Sequence, residues 1–577
     1  MAPGTSFDRR EAIPIHKEVA GKMKVYHVLA EALLEQGATT VYALMTSDNM
    51  SLLGVLESKG VTIVRARSEY GAVCMADGHA RQTGDVGVVA IGAGPSAAMT
   101  GTALVTAARR RSPLVVIAGD VAPTERDHLK RFPQHDFFEL MAGHCLSQVS
   151  PGSVVRDTFE VFRRARSGAG PSVLNIPVNL LEAPIDFRDV ERDSRYMTPA
   201  VAVAPPEPAA AAVDAAAHIL STARRPIILA GRAAAGAECR DLMMKIGDLV
   251  GALYGSSLQG QYLFDSPYDV GVVGTLGHAT ASRAMTEADC ALVVGASLNS
   301  YTVAHGQFLA SAKIIQVDIR PGAFGDTTPV DVAICSDAAT GLNRILAALQ
   351  DLGAGGRSEF RGDDMVKAIA EDFAQLRHYQ PASGALDPRL VLDTVNRCLP
   401  RRRRIVVDAG HFAFFVVDHV RSGSPSERVW TGDFASIGLA VPVGLGVATA
   451  AGAETRTVVF VGDGGFAMSL VELDTAVRHR IPVAIVVIDD DAYGAEVRYL
   501  ENRGESAHLA RFDSPDFAAI ARGYGCEART VRTLEDLTSA CDRIRDASGP
   551  LVIDVKVNPD VVNRQFRGRT ASAASIE

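Results

Sequence analysis

The sequence predicts three consecutive α/β domains, each built on a parallel sheet. Three observations predict it. The chain runs to 577 residues, far more than one hydrophobic core organises. Short β-branched runs alternate with helical patterns along its whole length, the mark of strand–helix–strand units. Two shifts in composition then divide the chain into segments of comparable size. The first is Thr198 to Ala212, where Pro199, Pro205, Pro206 and Pro208 stand among alanines; the second is Asp351 to Asp364, glycine-rich, followed by Gln380 to Pro388. Domains are therefore expected over residues 22–195, 206–350 and 385–562. In the first, Val61–Val64, Val86–Ile91 and Leu114–Ala118 read as strands between alanine-rich helical stretches. Pro226–Ala230, Cys290–Val294 and Lys313–Val317 do the same in the middle segment, and Arg404–Val407, Thr457–Val461 and Val483–Ile488 in the third.

Bulk properties narrow the function. With 47% apolar and 22% charged residues the composition is that of a soluble globular protein. A net charge of −9 is modest for this length and argues against a nucleic-acid or anionic-membrane partner. The run Arg401 to Arg404 precedes a strand and reads as a solvated loop. Eight scattered cysteines show neither a C-x-x-C pair nor zinc spacing, so no disulfide framework or structural zinc is expected. Residues Met1 to Lys24 lack the apolar core of a secretory signal, and no apolar run reaches the ~18–20 residues that span a bilayer. A cytoplasmic location is expected, with a disordered tail from Arg567 to Glu577.

The chemistry concentrates in the third segment. Thr457 to Gly465 reads as a buried strand breaking into a glycine loop. Ser469 and Glu472 form an S-x-x-E pattern expected to cap a helix, with Leu470, Leu473 and Val477 as its buried stripe and Ile481-Pro482 as its stop. Val483 to Ile488 returns as a second strand. A helical crossover makes the two strands parallel, so Asp463 and Asp490 are expected on one carboxyl edge, where α/β sheets bind ligands. Gly462, Gly464 and Gly465 let main-chain N–H groups approach phosphate oxygens at a helix N-terminus. Two carboxylates and a main-chain carbonyl offer the hard oxygens that Mg²⁺ prefers. G-D-G alone would read as a capped glycine turn; the second acidic position favours a ligand site.

Gly462-Asp463-Gly464 followed by Asp489-Asp490-Asp491-Ala492-Tyr493-Gly494 resembles the thiamine-diphosphate (ThDP) motif of the pyruvate decarboxylase/acetolactate synthase superfamily, which runs from G-D-G to two asparagines. The resemblance implies that Asp463, Asp490 and the Ala492 carbonyl hold Mg²⁺. It also implies that Gly462, Gly464, Gly465, Tyr493 and Gly494 surround the diphosphate. Asp489-Asp490 in place of asparagines keeps oxygen ligation and adds negative charge beside that diphosphate. Val64 to Arg81 is similar to the family segment R-H-E-x-x-A-x-x-M-A-x-G-Y-A-R. Glu69 falls on the glutamate that activates the aminopyrimidine ring, and Ser68 stands where histidine is usual. Such a glutamate must be desolvated and neutralisable.

Weaker matches extend the likeness over nearly the whole chain. Gly92 to Ser96 resembles the S-G-P-G turn, and Tyr42 to Asn49 aligns with a loop that puts Ser47 at the reaction centre. Gln134 and His135 fall on the active-site Gln or His pair. Trp430 to Gly438 resembles the segment that holds the cofactor bent, with Ile437 between its rings and the Ala435 carbonyl accepting from the 4′-amino group. Asp408-Ala-Gly410-His411 matches the turn that touches the diphosphate. In this family the site lies between the first domain of one subunit and the third of another, which implies a homodimer or homotetramer.

The reaction implied by the resemblance is attack on a 2-oxo acid, loss of CO₂ and an enamine quenched by a proton or by an aldehyde or ketone acceptor. Glu496 matches a glutamate that decarboxylases place near the substrate, but only His135 stands where those enzymes have two histidines. Acetolactate synthases carry a tryptophan soon after this segment and an R-F-D-D-R run. Here Trp430 is the sole tryptophan and Gly295 to Tyr301 replaces that run, so FAD is not expected. Decarboxylase, carboligase, C–C hydrolase and FAD-containing acetolactate synthase remain open, as does a non-catalytic ThDP-binding paralogue. No G-x-G-x-x-G pattern supports a nucleotide-dependent oxidoreductase.

Overall fold

A computed structural model describes residues 23–186, 205–355, 358–381 and 384–566. The first part of the proline-rich linker, Thr198 to Ala204, and the tail from Arg567 lie outside the described residues. The first domain holds β1 (Met23–Lys24), β2 (Thr40–Ala43), β3 (Thr62–Arg65), β4 (Gly87–Ile91), β5 (Leu114–Asp120), β6 (Cys145–Ser147), β7 (Ser172–Pro177) and β8 (Pro184–Ile185). Its main sheet runs β3-β2-β4-β5-β7-β6 with every pairing parallel; β1 and β8 form a separate antiparallel pair.

The middle domain carries β9 (Pro226–Ala230), β10 (Leu253–Ser256), β11 (Asp269–Val272), β12 (Cys290–Val294), β13 (Lys313–Asp318) and β14 (Val332–Cys335). They form a second parallel sheet, β11-β10-β9-β12-β13-β14. In the third domain, β15 (Arg403–Val407), β16 (Arg428–Trp430), β17 (Arg456–Gly462), β18 (Val483–Asp489), β19 (Glu527–Val531) and β20 (Leu551–Lys556) give the order β16-β15-β17-β18-β20-β19, again parallel throughout. Three parallel α/β domains are thus present. The continuous Val/Ile runs follow from this, because a parallel sheet is covered by helices on both faces. Every residue of β18 is buried.

The first and third domains share a core inside one chain. The Glu69–Thr83 helix lies against the Ala440–Ala451 helix, and Val73, Met75, Val443 and Val447 belong to one buried cluster. Two glycines set the closeness of approach. A Cβ on Gly78 would fall 2.1 Å from the Val443 carbonyl oxygen, and one on Gly446 1.9 Å from that of Met75. The backbones therefore touch where any side chain would hold them apart.

One expectation is corrected. Ser469 and Glu472 do not cap a helix. The chain enters a short helix at once, over Asp463–Ala467, and a second helix, Glu472–Arg478, begins after a turn. The Ser469 hydroxyl donates back to the Gly465 and Phe466 carbonyls at 3.3 Å, as serine does inside a helical turn. The Glu472 carboxylate reaches across to the first domain instead. No helix among the described residues is long and apolar enough to cross a membrane.

Candidate active site

Parallel pairing of β17 with β18 sets Gly462 opposite Ile488, so Asp463 and Asp490 leave the sheet together at one edge. Asp463 is buried. Its Oδ1 accepts the Gly464 N–H at 2.8 Å, and its Oδ2 accepts the Ala492 N–H and the Ser514 hydroxyl, both at 3.1 Å. This one carboxylate thus ties the glycine loop to the loop after β18. Burial, and then the charges of Asp490 and Asp489, push the Asp463 carboxyl well above the usual carboxylate range. Burial and Asp489 do the same to Asp490. Arg498 opposes the Asp490 shift, but its guanidinium is paired with Glu501 at 2.6 Å.

The neighbouring acid behaves differently. Asp489 is opposite Lys556 on β20 and forms an ion pair with it, and Lys556 also lies 3.2 Å from Asp554. Asp489 is thus held by Lys556 within the sheet and only Asp490 of the pair lines the cleft, while the charge of Asp489 still raises both cleft carboxyls.

That cleft is lined by His411, Ile437, Gly462, Asp463, Gly464, Gly465, Asp490, Ala492, Tyr493, Gly494 and Glu496, with Ala409, Gly410 and Phe412. Its floor is shaped by missing side chains. A Cβ on Gly464 would fall 2.5 Å from the Tyr493 ring, and one on Gly494 2.6 Å from Asp490 Oδ2. Glu496 is exposed in the first turn of the Gly494–Asn502 helix. His411 is buried, accepts the Asn563 N–H on Nε2 at 3.0 Å, and is pushed down to about 3 by burial, with Arg498 adding to it. Its ring is therefore neutral.

Asp408, which the sequence reading placed only in a turn, organises the far wall. It accepts the Gly438 N–H at 2.7 Å and the Thr431 hydroxyl at 2.9 Å, pinning the 431–438 loop to the end of β15. Within that loop Ala435 is exposed and holds φ at 57°, a left-handed conformation that costs a non-glycine residue energy and concentrates at functional sites. Ala435 does not itself line the cleft.

Four expected residues sit in the first domain, away from the residues lining the cleft. Glu69 opens the Glu69–Thr83 helix and is 9% exposed; Ser68, in place of histidine, caps that helix by accepting the Gly71 N–H at 2.9 Å. Glu472 was missed as a functional candidate. Its Oε1 accepts the Ser68 hydroxyl at 2.8 Å, and its Oε2 accepts the Arg67 N–H at 3.2 Å and the Thr475 hydroxyl at 2.7 Å. Ser47 is exposed and donates to Asp48 at 3.2 Å; Asp48 receives both Lys130 Nζ contacts at 2.8 Å. Gln134 is buried with both amide N–H groups used: it donates to the Gly119 carbonyl at 2.6 Å and Asn175 at 2.7 Å, and accepts the Gly94 N–H at 2.8 Å. His135 is exposed, 3.0 Å from the Ser147 hydroxyl.

The cleft fits a divalent cation carrying a diphosphate. Two desolvated carboxyls stand at one sheet edge with no ion pair to either among the described residues, beside a glycine floor at a helix start. Among the described residues no group of three or more His, Cys, Asp or Glu could hold a metal alone. Such a partial set suits Mg²⁺, which takes its remaining oxygens from phosphates and water.

Comparison with known proteins agrees. Residues 23–142 match the N-terminal TPP-binding domain of the thiamine pyrophosphate enzymes, 213–345 their central domain and 408–555 their C-terminal TPP-binding domain. The chain is 26% identical over 569 residues to a sulfoacetaldehyde acetyltransferase of Castellaniella defragrans, covering 91% of each chain. It is 25% identical to the acetolactate synthase large subunit of Haemophilus influenzae, with 95% and 97% covered, and 27% identical to an acetolactate synthase of Arthrospira platensis, with 96% of each covered. With all three domains matched in order, the chain belongs to the thiamine-diphosphate-dependent enzyme superfamily.

Proposed function

We propose that the protein is a ThDP- and Mg²⁺-dependent enzyme that removes CO₂ from a 2-oxo acid and passes the remaining acyl unit to a proton or to a second carbonyl compound. The observation that carries this reading is the pair Asp463 and Asp490, two uncompensated carboxyls on adjacent strand ends above a glycine floor. Bound ThDP supplies a nucleophilic carbon and a sink for the electrons released with CO₂. In this reading Asp463, Asp490 and the Ala492 carbonyl hold the cation, and the main chain of Gly462, Gly464, Gly465 and Gly494 approaches the diphosphate. His411 and Tyr493 would border the diphosphate, and Ile437 and the Ala435 carbonyl would hold the part of the cofactor beyond it. Glu69, from the first domain of a partner subunit in a homodimer or homotetramer, exchanges a proton with the pyrimidine ring. Glu496, exposed at the rim of the cleft, is placed to hold or move a proton at the substrate.

Gln134 serves in this reading as a bracket for the Gly94 turn, since both amide N–H groups are used within the first domain and its oxygen accepts the Gly94 N–H. Ser47 and His135 are solvent-facing in the single chain and are assigned to the substrate side of the assembled site. The relatives include synthases and an acetyltransferase, which supports transfer to an acceptor carbonyl over simple protonation. A CO₂-release screen over pyruvate, branched and aromatic 2-oxo acids, with and without an acceptor aldehyde, tests the proposal. Product carbon skeletons larger than the donor are expected; no CO₂ from any 2-oxo acid, with ThDP and Mg²⁺ bound, would refute it.

A further inference from the structure

The end of the described chain packs behind His411, a residue of the cleft wall. Residues 561–566 cross the back of the His411–His419 helix, and the main-chain N–H of Asn563 donates to His411 Nε2 at 3.0 Å. The segment is firmly anchored. Arg564 binds Asp418 at 3.1 and 3.2 Å and donates to the Leu276 and Gly277 carbonyls of the middle domain, both at 2.9 Å. Gln565 adds a bond to the Leu276 carbonyl at 3.0 Å, and the Phe566 ring packs edge-on against His411 with centroids 5.0 Å apart. His411 is thus held from behind by a strap that ties two domains together.

A neutral imidazole carries one proton. If Nε2 is the acceptor of a main-chain N–H, that proton is on Nδ1. Nδ1 faces the other way, 3.5 Å from where a Cβ on Gly494 would stand, toward the cleft that both residues line. We infer that the C-terminal strap fixes the tautomer of His411, so that Nδ1–H is a permanently presented, uncharged hydrogen-bond donor for a phosphate oxygen of the cofactor. The inference rests on the proposed diphosphate site and adds a positioning role for residues 561–566. A donor locked in this way gives up no proton and needs no reorientation when the anion arrives, which is what preorganised recognition requires. It also leaves neutralisation of the diphosphate to the metal.

Paired substitutions separate this from a merely structural role. The side-chain amide of asparagine reproduces a donor near Nδ1, whereas that of glutamine reaches toward Nε2. His411→Asn is therefore expected to keep the affinity for ThDP with Mg²⁺ within about threefold, and His411→Gln to lose about tenfold or more, as for one hydrogen bond to a charged group. Asn563→Pro removes the main-chain N–H and is expected to weaken ThDP about tenfold while leaving thiamine, which has no phosphate, unaffected. Affinity is read by calorimetry on the metal-loaded protein, with melting temperature as the check on folding. Nitrogen-15 NMR of labelled histidine, assigned by the His411→Asn spectrum, should show His411 protonated on Nδ1 before any cofactor is added. A proton on Nε2, or His411→Gln binding as tightly as His411→Asn, overturns the inference. If Asn563→Pro does not fold, the His411 pair and the NMR tautomer decide alone. Failure of the unsubstituted protein to bind ThDP at all would instead refute the proposed function.

Discussion

Glu472 is the strongest single lever on the proposed catalytic glutamate, although it lies in the other domain. Its buried carboxylate accepts three hydrogen bonds, two of them from Ser68 and Arg67 at the turn that begins the Glu69–Thr83 helix. Contact is close: a Cβ on Gly71 would fall 2.1 Å from Glu472 Oε1. Glu472→Gln keeps the shape and one acceptor oxygen but turns an NH₂ toward donors, a loss of about 1–2 kcal/mol. Glu472→Ala leaves two hydroxyls and an N–H without their acceptor, and about 3 kcal/mol should go, at about 1 for each group. The functional effect is separable. Glu472 does not line the cleft, so the affinity for ThDP and Mg²⁺ should stay within about twofold, while turnover falls on the order of 100-fold if the Glu69 turn shifts by about an ångström. Denaturant unfolding at unchanged m-value, calorimetric binding and the CO₂-release rate measure the three quantities. A Glu472→Gln protein with wild-type stability and wild-type turnover would show that the carboxylate does not hold this turn. Lost stability with unchanged turnover at saturating cofactor would limit it to folding.

Other expectations follow from the same geometry. Glu69→Gln should lose turnover by about 10²-fold or more while metal and ThDP still bind; unchanged turnover disproves its role. Asp490→Asn keeps an oxygen ligand and should keep activity, whereas total loss of cofactor binding would break the metal assignment. Asp463 and Asp490 have folded pKa values raised above their unfolded ones, so the folded state holds extra protons between the two. The stability of the metal-free protein should therefore fall as pH rises from the ordinary carboxylate range toward neutrality, and Asp490→Asn should flatten that slope in denaturant titrations at several pH values. Gly446→Ala would drive a Cβ into the Met75 carbonyl and should cost about 1–3 kcal/mol in the same assay, with nothing lost if the two helices can separate freely.

How far the sequence could be read depended on whether a feature was local. β9 and β12 are legible to the residue because a Val/Ile run bounded by glycine and polar residues is a complete strand signal by itself. Edge strands such as β11, with alternating burial, and β16, three residues long, gave too little periodicity to be singled out. The Asp463 and Asp490 pairing was legible because a helical crossover leaves little choice but parallel neighbours. Ser469 and Glu472 misled for the opposite reason. S-x-x-E describes what a glutamate can do within one turn, and says nothing of a hydroxyl donor offered 404 positions away by Ser68.

The same limit applies to the added charge at Asp489. Read along the chain, two acids in place of two asparagines double the negative charge beside a diphosphate. Read across the sheet, Asp489 faces Lys556 on the next strand and is ion-paired there, while Asp490 one residue later points to the cleft, because successive residues at a strand end alternate between faces. The two acids are therefore different functional groups. Asp489 belongs to a buried Asp489–Lys556–Asp554 set, in which removing the lysine would strand two carboxylates. Lys556→Met should accordingly destabilise the protein by about 3–5 kcal/mol and raise its sensitivity to pH, the cost of leaving buried charge unpaired. Asp489→Asn alone should cost far less, since Lys556 keeps Asp554 at 3.2 Å. If both substitutions cost the same, Lys556 is not the charge that holds Asp489 and Asp554 in the sheet, and the distinction drawn between Asp489 and Asp490 falls with it.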